Sequence, residues 1–204
     1  RYGINVDRFP ETSRIPHRGF RVVSIGNLDP VKGFDILIRA AAIVAAQRPD
    51  VEFEIIGEDR SRSRRNEREL RRLISEMEPS TKVVLSGWSD KIPEKLPNFD
   101  VFVSTSRTES FGAAIAEAML CGVPVIATET EGAKEIISDP SLGRLVPVDS
   151  PRSLAAEIIE LIDNEQTRAQ LALNGRAHIL ANFSFDRMVD ETERLYRRIV
   201  PPDR

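Results

Sequence analysis

The stretch from Thr108 to Thr128 reads TESFGAAIAEAMLCGVPVIAT, and the architecture follows from it. Phe111 to Cys121 is dense in Ala, Leu and Met, strong helix formers, so the composition predicts a helix there. Ser110 is the expected N-cap, and Gly122 suits the residue just past the helix end. Val123 to Ala127 then reads as a buried strand. Glu109 falls just ahead of this helix and Glu117 inside it, eight residues on. At the ~1.5 Å rise of a helix that interval spans ~12 Å.

Such an arrangement suits a particular kind of ligand. A helix N-terminus exposes unpaired N–H groups and the positive end of the helix dipole, which favours phosphate. Gly112 has no Cβ and allows close approach to that backbone. One carboxylate can accept hydrogen bonds from sugar hydroxyls ahead of the helix, and the other, two turns along, can take a ribose diol. A phosphate flanked by two polyhydroxylated rings fits, and a nucleotide sugar is such a molecule. The interval alone is weak evidence, because Glu157 and Glu165 share it on an ordinary charged helix face. The informative part is the context: Ser-Phe-Gly after the first Glu, Glu-Ala-Met around the second, then Cys-Gly-Val-Pro-Val.

Outward from this stretch the chain alternates. Phe20–Asn27 reads as a strand, 32–47 as a helix, Val51–Gly57 as a strand, 64–77 as a helix and 82–86 as a strand. This pattern predicts an α/β fold, a Rossmann-like parallel sheet with helices on both faces. Ligands in such sheets bind at the carboxyl ends of the strands, and Gly26, Gly57, Gly87 and Glu109 all follow predicted strands.

These segments together resemble the large family of retaining glycosyltransferases built from two facing Rossmann-like domains, the GT-B fold, often called family 4 or group 1. The Glu109–Glu117 stretch resembles its E-x7-E signature. Ser24 to Leu28 with Val31-Lys32-Gly33-Phe34 resembles its G-R-L…K-G phosphate loop, Phe53 to Gly57 its second strand and glycine turn, and Val83 to Trp88 its base-contacting strand and loop. Phe99 to Val103 resembles the strand leading into E-x7-E, and Phe183-Ser184-Phe185 the step before its last helix. The likeness runs from about residue 20 to 199 in the family's order. One position departs from the pattern: Asn27 stands where the family usually has Arg, so an always-charged, bidentate phosphate contact is replaced by neutral hydrogen bonding.

The resemblance implies the donor-binding, C-terminal half of an enzyme that moves a hexosyl unit, with retention, from a nucleotide diphosphate sugar (UDP- or GDP-linked) to a glycan, lipid or small-molecule acceptor. It implies that Lys32 and the Phe111–Gly112 amides hold the diphosphate, with Gly26, Asn27 and Gly57 beside it. Glu109, with Ser110, would meet the donor sugar; Lys32 and Glu109 are its catalytic pair. Glu117 would hold the ribose, and the loop at Trp88 and Ser89 would face the base. No metal and no other cofactor is implied, and no Asp-x-Asp pair occurs in the chain. Residues 1–19 then read as an interdomain hinge, 20–183 as the nucleotide-sugar-binding domain, and 184–204 as a C-terminal crossover helix and tail packed outside or crossing to a missing acceptor domain. On this reading the piece alone is inactive. Two alternatives stand beside it: a non-catalytic nucleotide-sugar-binding module, and half of a sugar-nucleotide epimerase.

Composition bounds these readings. With 41% hydrophobic and 30% charged residues the 204-residue chain can bury a core. The lone Cys121 excludes an internal disulfide and fits a reducing, cytoplasmic compartment. It reads as a packed helix-end residue, and His17 and His178 sit in no metal-ligand spacing. No apolar run approaches the ~20 residues of a membrane span. Seven arginines crowd residues 60–72, yet with Glu67 and Glu69 among them and a net charge of −3, a solvated helix face is favoured over a polyanion contact. No nucleic-acid partner is expected, and peripheral association of the full-length enzyme with the inner membrane face stays open. Trp88 suits either base pocket or core, and Lys134-Glu135 either support of the site or helix surface. The last helix carries a stripe of Met188, Leu195 and Ile199, expected to be exposed or to pack against another copy.

Overall fold

Runs of alternating or continuous apolar residues pair into one parallel sheet. The computed structural model describes residues 2–9 and 17–199, so the expected hinge and tail fall partly outside it, at residues 1, 10–16 and 200–204. The strands are β1 (Phe20–Ile25), β2 (Val51–Ile56), β3 (Lys82–Gly87), β4 (Val101–Ser104), β5 (Val125–Thr128) and β6 (Arg144–Val146), in the order β3-β2-β1-β4-β5-β6. Every pairing is parallel. The strand order reverses between β1 and β4, the place where open α/β sheets bind ligands.

Because side chains alternate across a strand, each central strand feeds two cores. Val22, Val101, Val103 and Ile126 point to one face, where they meet α1 (Phe34–Ala45), α2 (Arg65–Ser75) and α6 (Pro151–Asp163). Val23, Phe102, Val125 and Ala127 point to the other, against α4 (Ala113–Leu120) and α5 (Glu131–Ile136). The short α3 (Ile92–Lys95) and the long α7 (Glu165–Asn182) complete that side, and α8 (Phe185–Ile199) follows. The predicted fold class is the observed one.

Several boundaries differ from the sequence reading. The helix expected from Phe111 begins at Ala113, and its N-cap is Gly112 at φ 89°, not Ser110. The helix expected from Lys32 opens only at Phe34, after a 3-10 turn over Pro30–Lys32 and a left-handed Gly33. Strand β5 starts at Val125, because Val123 is engaged in ending α4: its N–H donates to Ala118 O and that of Gly122 to Met119 O. At the N-terminal end, Ile4 N–H donates to Phe183 O at 2.8 Å and Phe185 N–H to Ile4 O at 2.9 Å, while Ile4 and Phe9 are buried.

Candidate functional site

All six strands run parallel, so the residues that follow them gather at one edge. The loop after β1 returns through Pro30–Lys32; the loop after β4 carries Glu109 to the start of α4. Lys32 Nζ lies 2.7 Å from Glu109 Oε2, which also accepts a longer bond of 3.4 Å from Ser106 Oγ. Both charged side chains are half-buried. A cation and a carboxylate from neighbouring strand ends thus touch across the switch point.

The glycines expected beside the phosphates lie next to this pair. Gly26 N–H donates to Ile56 O, and Gly57 N–H to Gly87 O. Gly57 is pressed so close that a Cβ there would sit 1.8 Å from Gly26 O, and a Cβ on Gly26 would meet the Lys32 stem at 3.5 Å. Asn27 is exposed, and among the described residues its side chain makes no hydrogen bond. Trp88, just after β3, is 59% exposed, which removes the alternative that it packs in the core. Ser89 Oγ accepts from Lys91 N–H within its own loop.

The segment from Glu109 to Gly112 is clamped from behind by the first turn of α5. Gly132 N–H donates to Glu109 O at 2.9 Å, and Gly132 lies so near Phe111 that a Cβ would meet its backbone at 2.6–2.8 Å. The Phe111 ring is buried, stacked at tilted angles between Tyr2 and Phe183. No side chain caps α4, and Ile115 N–H donates back to Gly112 O at 2.9 Å within the first turn. Ser110 is exposed. Glu109 lies ahead of α4, so the rise of a regular helix does not set its separation from Glu117.

Glu117 is half-buried on α4. Burial raises its pKa above the usual carboxylate range, and the Arg8 charge partly opposes the rise. Among the described residues its carboxylate makes no hydrogen bond or ion pair. Arg8, on the N-terminal 3-10 turn Val6–Arg8, was invisible to motif reading, because only the fold brings residues 2–9 against α4 and α8. The same holds for Arg107, which sits on the loop after β4 and bonds to Pro30 of the loop after β1 and to Asp35 of α1.

Other sequence candidates lie elsewhere. Cys121 packs at the end of α4, where burial pushes its thiol up to about 12, so it is no nucleophile at neutral pH. Lys134 pairs with Glu131 on the surface of α5. Among the described residues no group of His, Cys, Asp and Glu could hold a metal ion. A cavity of about 400 Å³ between α1 and α2, lined by Leu28, Phe34, Arg39, Leu70 and Leu73, includes neither Lys32 nor either carboxylate.

Known proteins share this fold and part of this sequence. The model of the family described as "Glycosyl transferases group 1" matches residues 5–178. A GDP-mannose-dependent monoacylated alpha-(1-6)-phosphatidylinositol monomannoside mannosyltransferase of Corynebacterium glutamicum is 35% identical over 168 residues, 79% of this chain and 42% of its own length. Among solved structures, HepE of Anabaena in complex with UDP and glucose superposes with a TM-score of 0.84 at 28% identity, over 93% of this chain and 54% of that one. The C-terminal domain of the group 1 protein LpcC from Francisella tularensis superposes at 0.80 with 26% identity, over 90% of this chain and all of that one. The chain spans about two fifths of the curated mannosyltransferase it matches.

Proposed function

The chain belongs to the group 1 glycosyl transferases, and from that premise we propose that it is the donor half of a retaining hexosyltransferase, binding a nucleotide diphosphate sugar along the carboxyl edge of its sheet. The observation that carries this reading is the 2.7 Å contact of Lys32 with Glu109 at the point where strand order reverses.

In the free protein the two charges neutralise each other. A donor offers each a new partner: diphosphate oxygens for Lys32 and sugar hydroxyls for Glu109. As the bond to the anomeric carbon lengthens, negative charge grows on the leaving diphosphate, and Lys32 with the Phe111–Gly112 amides stabilises it. Glu109 holds the sugar ring in a reactive position. Glu117, whose carboxylate makes no hydrogen bond or ion pair among the described residues, takes the ribose hydroxyls, and Trp88 with Ser89 borders the base. Gly26, Asn27 and Gly57 form the floor beneath the phosphates. No metal is given a role, and the leaving phosphate itself assists acceptor deprotonation.

The named ligands of the relatives support a UDP- or GDP-linked donor. Their greater length supports an acceptor-binding half outside this chain, without which it is inactive. No described helix is long and apolar enough to cross a membrane; a lipid-linked acceptor, such as the first relative's name states, would bring the enzyme to a membrane surface peripherally.

The test is calorimetric. Lys32→Ala weakens nucleoside-diphosphate binding ~10-fold or more, the worth of a hydrogen bond to a charged group, and leaves the nucleoside almost unaffected. Equal losses for both ligands would refute the phosphate role. Acceptor-dependent nucleotide release by the full-length enzyme, absent from Glu109→Ala, separates transfer from mere binding.

A further inference from the structure

Arg107 stands two residues before Glu109, and the donor reading gives it no part. Four of the five N–H groups of its guanidinium nonetheless have partners. Nη1 donates to Pro30 O and, at 3.1 Å, to Asp35 Oδ1; Nη2 donates to Asp35 Oδ2 at 2.9 Å; and Nε lies 2.8 Å from Asp149 Oδ1. Its backbone N–H donates to Val31 O at 2.7 Å. One arginine therefore ties together the loops that follow β1, β4 and β6.

These ties matter because the sheet does not hold the crevice. Strands β1 and β4 pair only at Val22 with Val101 and Val23 with Phe102. Beyond those pairs the ladder stops, and the loops carrying Lys32 and Glu109 have no strand hydrogen bonds between them. Besides the Lys32–Glu109 contact, which a bound ligand would break on the donor reading, the gap is spanned by Arg107 and by the bond from Thr105 Oγ1 to Lys32 O at 2.8 Å. Asp149 meets Nε from a left-handed backbone at φ 56°, a conformation that costs any residue with a Cβ. Two carboxylates already neutralise the guanidinium, so it is not a spare cation replacing the arginine absent at Asn27.

We infer that Arg107 is a positioning residue: braced by Asp35 and Asp149, it fixes the Lys32 loop against the Glu109 loop and so sets the gap that admits a sugar diphosphate. The inference rests on the donor roles proposed for Lys32 and Glu109. Arg107 touches neither, and it acts through the Pro30–Val31 backbone and the chain leading to Glu109.

A double-mutant cycle tests it. UDP, GDP and their parent nucleosides are titrated into wild type, Arg107→Gln, Lys32→Ala and the double variant, with thermal melts alongside. Arg107→Gln is expected to weaken the diphosphate that wild type binds about fivefold, the size of a modest pairwise coupling, with nucleoside affinity unchanged. In its background the Lys32→Ala penalty should shrink severalfold. An undiminished Lys32 penalty overturns the inference, and so does an equal loss of nucleoside and diphosphate, which marks a merely structural role. If Lys32→Ala in the wild-type background fails to separate diphosphate from nucleoside, the donor reading itself has failed, a result distinct from the other two. Asp149→Gly keeps the test readable should Arg107→Gln not fold. It removes one arm of the brace while relieving the left-handed backbone, so the melting temperature holds while preference for the diphosphate falls. Preference retained in Asp149→Gly counts against the brace.

Discussion

Glu117 carries a carboxylate on the half-buried side of α4 with no bonded partner among the described residues, and such a group is costly to keep charged. Its folded pKa is raised, first by burial, with Arg8 pulling the other way. The linkage sign follows. Below the unfolded-state value of ~4.3 the group is protonated in both states and imposes no charge penalty. As pH rises from there through the raised folded value, the unfolded chain ionises more readily and stability is lost. Glu117→Gln, neutral at every pH, should therefore melt higher than wild type at pH 7–8, with the difference closing as pH falls toward 4. A shift of a few degrees is the scale, since 1 kcal/mol moves a chain of this size by ~2–4 °C. The same variant should bind nucleoside more weakly, because an amide offers one acceptor oxygen where the carboxylate offers two. A lower melting temperature at neutral pH would show that Glu117 is stabilised where it stands. Residues of this kind were legible in the sequence, because Glu109, Glu117 and Lys32 lie in recognisable local patterns. Arg107 and Arg8 were not, for their partners lie on loops and turns that only the fold brings together.

The element reading holds best in the middle and worst at the starts. Helices α1 and α4 both open from a left-handed glycine with no side-chain cap, whereas the sequence pointed to earlier starts at Lys32 and Phe111. Cap signals assume that a side chain closes the first turn; here Gly33 is instead pressed against Thr105 O, and Gly112 packs near Ile115. Away from the crevice, α5 is capped by Thr130 and α7 by Asn164 in the ordinary way. The end of α4 was legible, because Gly122 at φ 69° supplies the left-handed step on which both terminal hydrogen bonds depend. A Cβ at Gly122 would meet nothing within 4 Å, so Gly122→Ala isolates the backbone term. It should cost about 1 kcal/mol, lower the melting temperature by ~2–4 °C, and leave nucleotide binding intact. Loss of binding in that variant would show that the α4–β5 turn moves the site.

For the whole molecule the sheet divides the apolar residues into two cores, and α8 belongs to neither. It buries no residue; its first turn alone is covered, where Gly3 presses on Phe185 and Met188. Phe185, Val189, Leu195, Tyr196 and Ile199 are exposed on it, so the predicted stripe exists but is open beyond Met188. The arginine run behaves differently. Arg71 pairs with Glu67, Arg72 with Glu76 and Arg65 with Glu69 along α2, which is the solvated face that the charge pattern favoured. Exposed ion pairs of this kind add little stability, whereas a contiguous apolar patch tends to find a partner. The two-core layout was legible because alternation along a strand is local, while the solvation of α8 depends on what packs against it. Since Leu195 and Ile199 lie on the exposed part of α8, Leu195→Glu with Ile199→Glu should leave the melting temperature almost unchanged, within ~0.5 kcal/mol per site. Phe53→Ala, emptying a fully buried position between sheet and α1, should cost ~3–5 kcal/mol. Light scattering is expected to show concentration-dependent association of the unmodified chain that the double glutamate variant abolishes, with a parallel fall in apolar-dye binding. A strict monomer that binds no dye would mean that the face is solvated without consequence.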